Sequence, residues 1–291
     1  MLFFKMRLRK KLNLVMLLCI SFMLPCAQAV NTLIVKQLDV EQGLSQSSVI
    51  EIFQDSHGFI WLATEGGINR FDGKQFHPFS VSPDAPFDVN QVYIQSIGED
   101  SKRQIWLGTA EGIAIFDPLT SKFSYLNPKS NPQLGLDGST INQIIRHSDG
   151  SMWLGTYKGL YQYNETNNTF THHPIPEEFG ANANELTVLI EAPNGSLVIG
   201  TQNQGVFNYN PKLSKYTRWY FSEDSKNSFH NQIHSLFFDS KQQLWVGSNA
   251  GLSLYYPNLE KFEQPLNLLA KMNYNILASK LRGCSNFSRL G

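Results

Sequence analysis

The sequence predicts an all-β protein, a β-propeller of four-stranded antiparallel blades, and three observations support this fold class. A cassette of residues occurs five times at a period of 45 to 47 residues, as in repeat proteins. Each copy holds four short apolar runs separated by turn residues, a pattern typical of consecutive hairpins in a blade. The composition is globular, since 42% of the 291 residues are apolar.

The cassette is clearest over residues 55–76, which read D-S-H-G-F-I-W-L-A-T-E-G-G-I-N-R-F-D-G-K-Q-F. It returns around Trp106, Trp153, Val198 and Trp245. Strand a of each blade is predicted to end at an Asp-led turn, strand b to begin at the Trp run, strand c to follow a Gly, and strand d to end near an aromatic residue. We interpret the repeated residues as structural: Asp55, Trp61, Gly67, Asp100, Trp106, Gly112, Trp153, Gly159, Gly205, Asp239, Trp245 and Gly251.

Local details of the blade follow from these positions. Apolar residues stand twelve and nine positions before each Trp position, for example Val49 and Ile52. This three-residue spacing is not clean alternation, so we expect a bulge or strong twist in strand a. Each Trp is expected to wedge between adjacent blades. The Gly of the b–c turn is expected to adopt a backbone conformation that a side chain disfavours.

The first 29 residues predict a cleaved signal peptide. Basic residues from Lys5 to Lys11 precede an apolar run from Leu12 to Leu24 and the sequence Ala27-Gln28-Ala29. The alternatives are an uncleaved anchor, for which the apolar run is short, and a lipoprotein anchor at Cys26. Without the leader, 19 basic and 24 acidic residues remain, and only Cys284 of the three cysteines. We therefore predict a periplasmic mature chain with no membrane span, no internal disulfide and no nucleic-acid partner.

The domain organisation follows from the repeat. Residues 30–264 are predicted to form the propeller. Its blades are expected at about 46–80, 89–127, 139–173, 184–221 and 230–264, with a spare strand at 33–39. Residues 265–291 show no cassette and are interpreted as a non-repeat tail.

One repeat family matches this pattern. The motif V-x-x-I-x-x-D-x-x-G-x-x-W-x-x-T-x-x-G-I-x-x-x-D, read from Val49 to Asp72, resembles the two-component regulator propeller repeat. That repeat builds the extracytoplasmic sensor region of hybrid histidine kinases and of some diguanylate cyclase receptors. The resemblance implies a small-molecule or glycan ligand, an inner-membrane parent receptor that is a homodimer, and a kinase or cyclase output domain elsewhere. The third and fourth copies depart from the motif, with His147 and Ala192 in place of Asp and Val198 in place of Trp.

The copy number also departs from the family. Its members usually carry seven blades in each propeller, whereas five cassettes are present here. We therefore expect an incomplete ring and interpret the tail as a truncated or frame-shifted sixth blade. The alternative is a genuine five-bladed protein with one added strand.

No enzyme signature is found in the sequence. The seven histidines form no metal-spaced motif with nearby carboxylates. His172 and His173 are interpreted as residues of a solvated loop between blades, and Trp219 as an outer-strand packing residue. We predict no cofactor, no metal and no catalytic residue in this chain.

The repeat geometry suggests where a ligand would bind. In an a-b-c-d meander, the b–c turns and the crossovers from strand d to the next strand a emerge on one face of the propeller. Seven residues would ring the channel mouth there: Glu65, Glu111, Tyr157, Lys158, Gln202, Asn203 and Asn249. Propellers host many functions, so position alone makes this rim the candidate ligand site.

The function predicted from these observations is a non-catalytic, ligand-sensing periplasmic propeller of a transmembrane signalling receptor. Two alternatives stay open. The first is a secreted propeller enzyme such as a lyase, which needs convergent acid-base groups or a metal on one face. The second is a secreted binding scaffold.

Overall fold

Five antiparallel sheets of four strands each make up the part of the chain that the structure describes. A computed structural model describes residues 37–79, 85–180, 182–219, 228–256 and 261–263. From Leu38 onward these residues belong to one compact unit. The predicted signal peptide and tail lie outside the described residues, as does most of the predicted spare strand. Residues 37–39 of that strand are described and are not β-structure; a 3₁₀ helix capped by Asp39 follows at Val40–Gln42.

The strands follow the chain order, blade by blade. Blade 1 has β1 (Val49–Gln54), β2 (Ile60–Thr64), β3 (Gly67–Phe71) and β4 (Phe76–Pro78). Blade 2 has β5 (Ile94–Glu99), β6 (Ile105–Thr109), β7 (Ile113–Asp117) and β8 (Lys122–Leu126). Blade 3 has β9 (Ile141–Arg146), β10 (Met152–Thr156), β11 (Gly159–Asn164) and β12 (Thr169–His173). Blade 4 has β13 (Leu186–Glu191), β14 (Leu197–Thr201), β15 (Val206–Asn210) and β16 (Lys215–Trp219). Blade 5 has β17 (Ile233–Phe238), β18 (Leu244–Ser248), β19 (Gly251–Tyr256) and β20 (Lys261–Glu263). Short 3₁₀ helices also occur at Pro132–Leu134, Glu177–Phe179 and Ser228–Asn231.

The first strand of each blade is the innermost one. Strands β1, β5, β9, β13 and β17 pack against their successors in turn and together line a central channel. Within each blade the four strands pair in sequence order. This arrangement in a ring confirms the predicted all-β, five-bladed propeller. The described residues show no comparable packing of β1 against β17, and the expected incompleteness of the ring stays a prediction.

All five innermost strands carry the bulge that the three-residue spacing predicts. In β1 the pairing with β2 skips one residue between Val49 and Glu51. The same shift occurs at the corresponding place in the other four inner strands. The bulged residues are Ile50, Gln95, Asn142, Thr187 and His234. A bulge re-aims side chains and bends the strand, and here it sets which residues face the channel.

Tryptophans of strand b fill the junctions between blades, as predicted. Trp61, Trp106 and Trp153 are each at most 2% exposed. Each packs against an aromatic residue on strand c of the next blade: Phe116, Tyr163 and Tyr209, respectively. These junctions bury large apolar surfaces between sheets, which is the dominant favourable term in folding.

The junction between blades 4 and 5 uses a different tryptophan. Val198 occupies the strand-b position there, and Trp219 at the end of β16 stacks on Tyr255 of blade 5, with ring centroids 4.3 Å apart. Trp219 therefore takes the role of the missing repeat tryptophan. This refines the sequence interpretation, which placed Trp219 in an outer strand without naming its partner.

The b–c turns are held by a glycine and a hydroxyl residue. Gly67, Gly112, Gly159, Gly205 and Gly251 all have positive φ, as predicted. In blade 2 the Thr109 hydroxyl donates to the Gly112 carbonyl at 2.9 Å and accepts the Glu111 N–H at 3.0 Å. Thr64, Thr156, Thr201 and Ser248 make the same kind of contact.

Among the described residues no helix is long and apolar enough to cross a membrane.

Candidate functional site

The b–c turns and the crossovers between blades meet on one face of the propeller, which we call the b–c face. Backbone hydrogen bonds join them directly. The Gln202 N–H donates to the Glu185 carbonyl at 2.8 Å, and the Asn249 N–H donates to the Gln232 carbonyl at 3.2 Å. The geometry inferred from the meander is therefore present.

All seven residues predicted for the rim lie on the b–c turns, but most of their side chains are engaged. Each engaged side chain contacts the chain segment that leads into or follows a blade at the same face. The pairs are Glu65 with Gln46 (3.2 Å), Lys158 with Asp137 (3.4 Å), Asn203 with Glu185 (3.2 Å), Glu111 with Lys129, and Asn249 with Gln232 and His234. These residues hold the turns in place, so their contribution to recognition is limited by bonds already made.

Two members of the rim are different. Within the described part of the chain, no side-chain hydrogen bond joins Tyr157 or Gln202 to another residue. Tyr157 is 45% exposed, which is unusual for a large aromatic side chain. The two residues occupy the b–c turns of consecutive blades, 3 and 4. An exposed aromatic ring can stack on a ligand, and an amide on the turn of the next blade can hydrogen-bond one.

Below the rim, polar residues line the channel, and sequence reasoning missed them. Four bulged residues, Gln95, Asn142, Thr187 and His234, reach the channel wall. Asn142 donates to the Leu186 carbonyl at 2.7 Å, and Thr187 donates to the Ile233 carbonyl at 2.6 Å. The free volume is ≈ 40 Å³, which is room for a few water molecules. The predicted bulge was the signal that could have identified these positions.

The opposite mouth of the channel is wider. A cavity of ≈ 540 Å³ opens there, among the a–b turns. Phe53, Ile145 and Ile190 contribute apolar walls, and Arg146 and Glu99 lie at its edge. Polar side chains, among them Gln54, Ser56 and Gln143, complete this lining, so the channel widens toward the opposite face and mixes polar with apolar residues at both ends.

The repeated aspartate makes the same hydrogen bonds in three of the a–b turns. The Asp100 carboxylate accepts the Trp106 indole N–H at 3.0 Å and the backbone N–H groups of Lys102 and Gln104 at 2.9 and 2.8 Å. Asp55 and Asp239 make the same three bonds. One carboxylate thus closes the turn and holds the tryptophan indole.

Blade 3 replaces this aspartate with His147, which links two blades. The imidazole is buried and lies 2.8 Å from the Asp149 carboxylate, 3.3 Å from Glu191 of blade 4, and 2.9 Å from the Gly195 carbonyl. Burial opposes protonation, but the Gly195 carbonyl and the two carboxylates outweigh it and raise the pKa of His147. Glu191 also accepts the Ser148 N–H at 2.8 Å. This ion-paired histidine therefore couples blades 3 and 4.

The interpretation of His172 and His173 as loop residues is wrong. Both belong to strand β12. His172 stacks on Tyr161, with ring centroids 4.5 Å apart. His173 lies between Trp153 and Tyr209, and burial, with a smaller effect of His172, lowers its pKa. Trp153 and Tyr161 of the same blade and Tyr209 of the next blade pack against these two histidines, so β12 extends beyond the point that the polar sequence suggested.

No group of three or more His, Cys, Asp or Glu side chains suited to a metal ion occurs among the residues that the structure describes. The described histidines take other roles. His230 lies in the 3₁₀ helix Ser228–Asn231 and His234 in β17, so their four-residue spacing does not place them on one helical face.

Comparison with known proteins identifies the cassettes. The family model described as "Two component regulator propeller" matches residues 43–66, 135–158 and 227–250, in blades 1, 3 and 5. These three segments match the two-component regulator propeller repeat that the sequence motif resembles. Each match covers strand a, strand b and the turn between them, which contain the Asp and Trp positions of the cassette.

Proteins with similar repeats belong to signalling systems. The chain is 28% identical over 179 residues to Histidine kinase P4 of Formosa agariphila, covering 60% of this chain and 13% of that protein. It is 26% identical to the extracellular domain of a putative hybrid two-component system from B. thetaiotaomicron, with a TM-score of 0.64, covering 78% of this chain and 31% of that one. The extracellular domain of a putative one-component system from the same organism has the same identity and TM-score, with 80% and 31% covered. This chain therefore spans about a third or less of these relatives.

The fold is also shared with an enzyme. Virginiamycin B lyase from Staphylococcus aureus is 14% identical, with a TM-score of 0.57, and the similarity covers 74% of this chain and 68% of the lyase. At this identity the likeness concerns the fold alone, because one propeller architecture hosts unrelated activities.

Proposed function

We propose that this propeller is the extracytoplasmic, ligand-sensing and non-catalytic region of a transmembrane signalling receptor of the histidine kinase or diguanylate cyclase type. The observation that carries the proposal is the match of three blades to the two-component regulator propeller, together with the likeness to extracellular domains of two-component sensors. We propose that the predicted signal peptide directs export of the propeller to the periplasm. The parent receptor is proposed to be anchored in the inner membrane and to be a homodimer.

The b–c face is the proposed recognition surface. Tyr157 and Gln202 are its principal contacts, because neither side chain is bonded to another described residue and Tyr157 is exposed. The other five rim residues hold the turns in position for these two. A small molecule or glycan would stack on the Tyr157 ring and hydrogen-bond the Gln202 amide.

A thermal-shift screen of the purified chain against saccharides, amino acids and organic acids tests this surface. We expect at least one compound to raise the melting temperature in proportion to its occupancy. The substitutions Tyr157→Ala and Gln202→Ala should weaken that response. The matched control is Leu213→Ala, which truncates a side chain that is 70% exposed on blade 4, and it should leave the response unchanged. Hits that respond equally in all variants would contradict the assignment.

The similarity to lyase folds makes a propeller enzyme the second candidate. It rests on the fold alone. Conversion of a bound compound, rather than its binding, would distinguish this candidate from the sensor.

A further inference from the structure

At two of the blade junctions, a carboxylate at the end of an innermost strand bonds to the a–b turn of the preceding blade. Glu99 of blade 2 accepts the Ser56 N–H of blade 1 at 2.8 Å and the Ser56 hydroxyl at 2.7 Å. Glu191 of blade 4 accepts the Ser148 N–H of blade 3 at 2.8 Å. In both turns the serine directly follows the Asp or His that closes the turn. One repeat position therefore supplies the donors and another supplies the acceptor.

The junction between blades 4 and 5 has neither group. Pro193 stands at the serine position of blade 4 and has no N–H to donate. The innermost strand of blade 5 ends at Phe238, which has no acceptor on its side chain. A turn without the donor is thus matched by a strand end without the acceptor.

The junction between blades 2 and 3 departs from this correspondence. Ser101 of blade 2 stands at the donor position, but the innermost strand of blade 3 ends at Arg146. A guanidinium group has N–H donors and cannot accept a hydrogen bond. Within the described part of the chain, no hydrogen bond or ion pair joins the Ser101 N–H, the Ser101 hydroxyl or the Arg146 guanidinium to another residue, and both residues are exposed. Donors from two blades therefore meet here without an acceptor.

The carboxylates around this junction are already bonded elsewhere. Asp100 accepts backbone N–H groups of its own turn at 2.8 and 2.9 Å. Glu165 pairs with Lys102 at 2.5 Å, and Asp149 lies 2.8 Å from the His147 imidazole. The acceptor that the Ser101 position lacks is therefore not supplied by these neighbours.

Arg146 also lies on the wall of the cavity of ≈ 540 Å³ at the channel mouth. Ile144 and Ile145, which precede it in the strand, belong to the same wall, as does Phe53 of blade 1. An anionic group held at Ser101 and Arg146 can therefore carry a short apolar chain that contacts this wall.

We propose that this junction binds an organic carboxylate with a short apolar chain. The carboxylate takes the place that Glu99 and Glu191 occupy at the neighbouring junctions. It accepts the N–H and the hydroxyl of Ser101 and pairs with the Arg146 guanidinium in charge-assisted hydrogen bonds. The site lies on the face opposite the b–c rim, and its existence does not depend on the proposed signalling role.

Hexanoate is a suitable probe, because it joins a carboxylate to a short alkyl chain. Its binding to the purified chain is measured by ligand-observed NMR titration, with an expected Kd of about 1–10 mM, as is usual for so small a ligand. Hexanamide, which has the same chain and a neutral amide, should bind about tenfold more weakly or less. Absence of hexanoate binding at these concentrations would overturn the proposal, as would equal binding of the two compounds.

Two variants test the donors directly. Arg146→Glu gives this junction the carboxylate of its neighbours, so Ser101 is bonded within the chain and hexanoate binding should be lost. Ser101→Pro removes the N–H and the hydroxyl with the residue that blade 4 carries at the same position, and it should weaken binding by about tenfold or more. Because Ser101→Pro leaves the charge unchanged, wild-type binding in this variant would refute the site. Arg146 is exposed, so Arg146→Glu is expected to fold and decides if Ser101→Pro does not.

Two control variants separate this site from other causes of binding. Lys241→Glu makes the same change of charge on the exposed a–b turn of blade 5 and should bind hexanoate as the wild type does. Tyr157→Ala, on the b–c face, should also bind normally, whatever the outcome for the proposed recognition surface. An equal loss of binding in Lys241→Glu and Arg146→Glu would show that overall charge attracts the anion, and would contradict the proposal.

Discussion

Asp100 uses both carboxylate oxygens, one for the backbone of its own turn and one for the tryptophan that fills the next blade junction. Hydrogen bonds to a charged group contribute about 1.5–3 kcal/mol each at most, and several at one residue are not additive. We expect Asp100→Ala to lower the free energy of unfolding by about 2–4 kcal/mol, measured by urea denaturation. Asp100→Asn keeps an acceptor for the turn but places an amide N–H against the indole N–H. Its free energy of unfolding should therefore lie between those of the wild type and Asp100→Ala. The exposed Glu178→Ala should change little, and an equal loss there would contradict this account.

His147 should make stability depend on pH. Its pKa is raised above the ordinary value of 6.5 in the folded chain, so folding favours the protonated form. The stabilisation is complete below that ordinary value and is lost as pH rises through the folded pKa. We therefore expect wild type to lose more stability than His147→Asn as pH rises above about 6.5.

His173 also contributes to the pH dependence of stability, so the wild type must be compared with the His147→Asn variant. Its lowered pKa contributes stability that is present above its ordinary value and lost as pH falls, which is the opposite sign. The difference between wild type and His147→Asn removes this contribution. A difference that is constant from acid to alkaline pH would show that the His147 ion pairs contribute nothing.

At the residue scale, the sequence predicted the structural residues within each copy of the cassette but not the contacts between residues of different copies. The Asp, Trp and Gly positions could be read from recurrence alone. The partnership of His147 with Glu191 could not, because the two residues are 44 positions apart and lie in different blades. The sequence likewise gave no reason to separate Tyr157 and Gln202 from the other rim residues, since their difference lies in the bonds that neighbouring crossovers make.

At the scale of the element, the b–c turn offers a comparison between two glycines. Gly112 has φ +131°, and an added Cβ would lie 2.5 Å from the Leu126 carbonyl oxygen, whereas Gly251 has φ +105° and no atom of the described residues lies within 4 Å of its added Cβ. Both substitutions to Ala carry a backbone cost of about 1–2 kcal/mol. Gly112→Ala should cost more, because the strand-d backbone must also move. Equal losses in chemical denaturation would show that the close approach is unimportant.

The junction between blades 4 and 5 tests whether Trp219 replaces the repeat tryptophan. Trp219→Ala should destabilise the fold by about 2–4 kcal/mol, because it removes the ring stacked on Tyr255. Val198→Trp should destabilise the wild type by overpacking. In the Trp219→Ala background it should instead recover part of the loss, since one ring again fills the junction. A double-mutant cycle on unfolding free energies measures this coupling, and simple additivity would refute the replacement.

The elements themselves were largely predictable, for a physical reason. Strand order, the turn glycines and the bulges in strand a follow from local spacing that recurs five times. The end of β12 did not, because His172 and His173 look polar in isolation and become strand residues only against Tyr161, Trp153 and Tyr209 of their own and the next blade. Packing between blades decided the strand's end.

At the scale of the whole molecule, the propeller presents two unlike faces joined by one narrow channel. The b–c face carries the rim, with polar channel residues beneath it, while the opposite mouth is wider and lined by both polar and apolar residues. The same architecture supports sensors and lyases, so shape alone does not separate binding from catalysis. A sensor releases a bound compound unchanged, whereas an enzyme converts it, so the fate of the compound distinguishes the two functions.

The fate of a ligand found in the thermal-shift screen tests the central claim most directly. The compound is incubated with the purified chain and followed by NMR over hours, with Tyr157→Ala as the binding-deficient control. If the propeller is a sensor, the compound should remain chemically unchanged. Its NMR signals should broaden in the presence of the wild type and not in the presence of Tyr157→Ala. Formation of a new product at a rate that requires Tyr157 and Gln202 would contradict the account and identify the propeller as an enzyme.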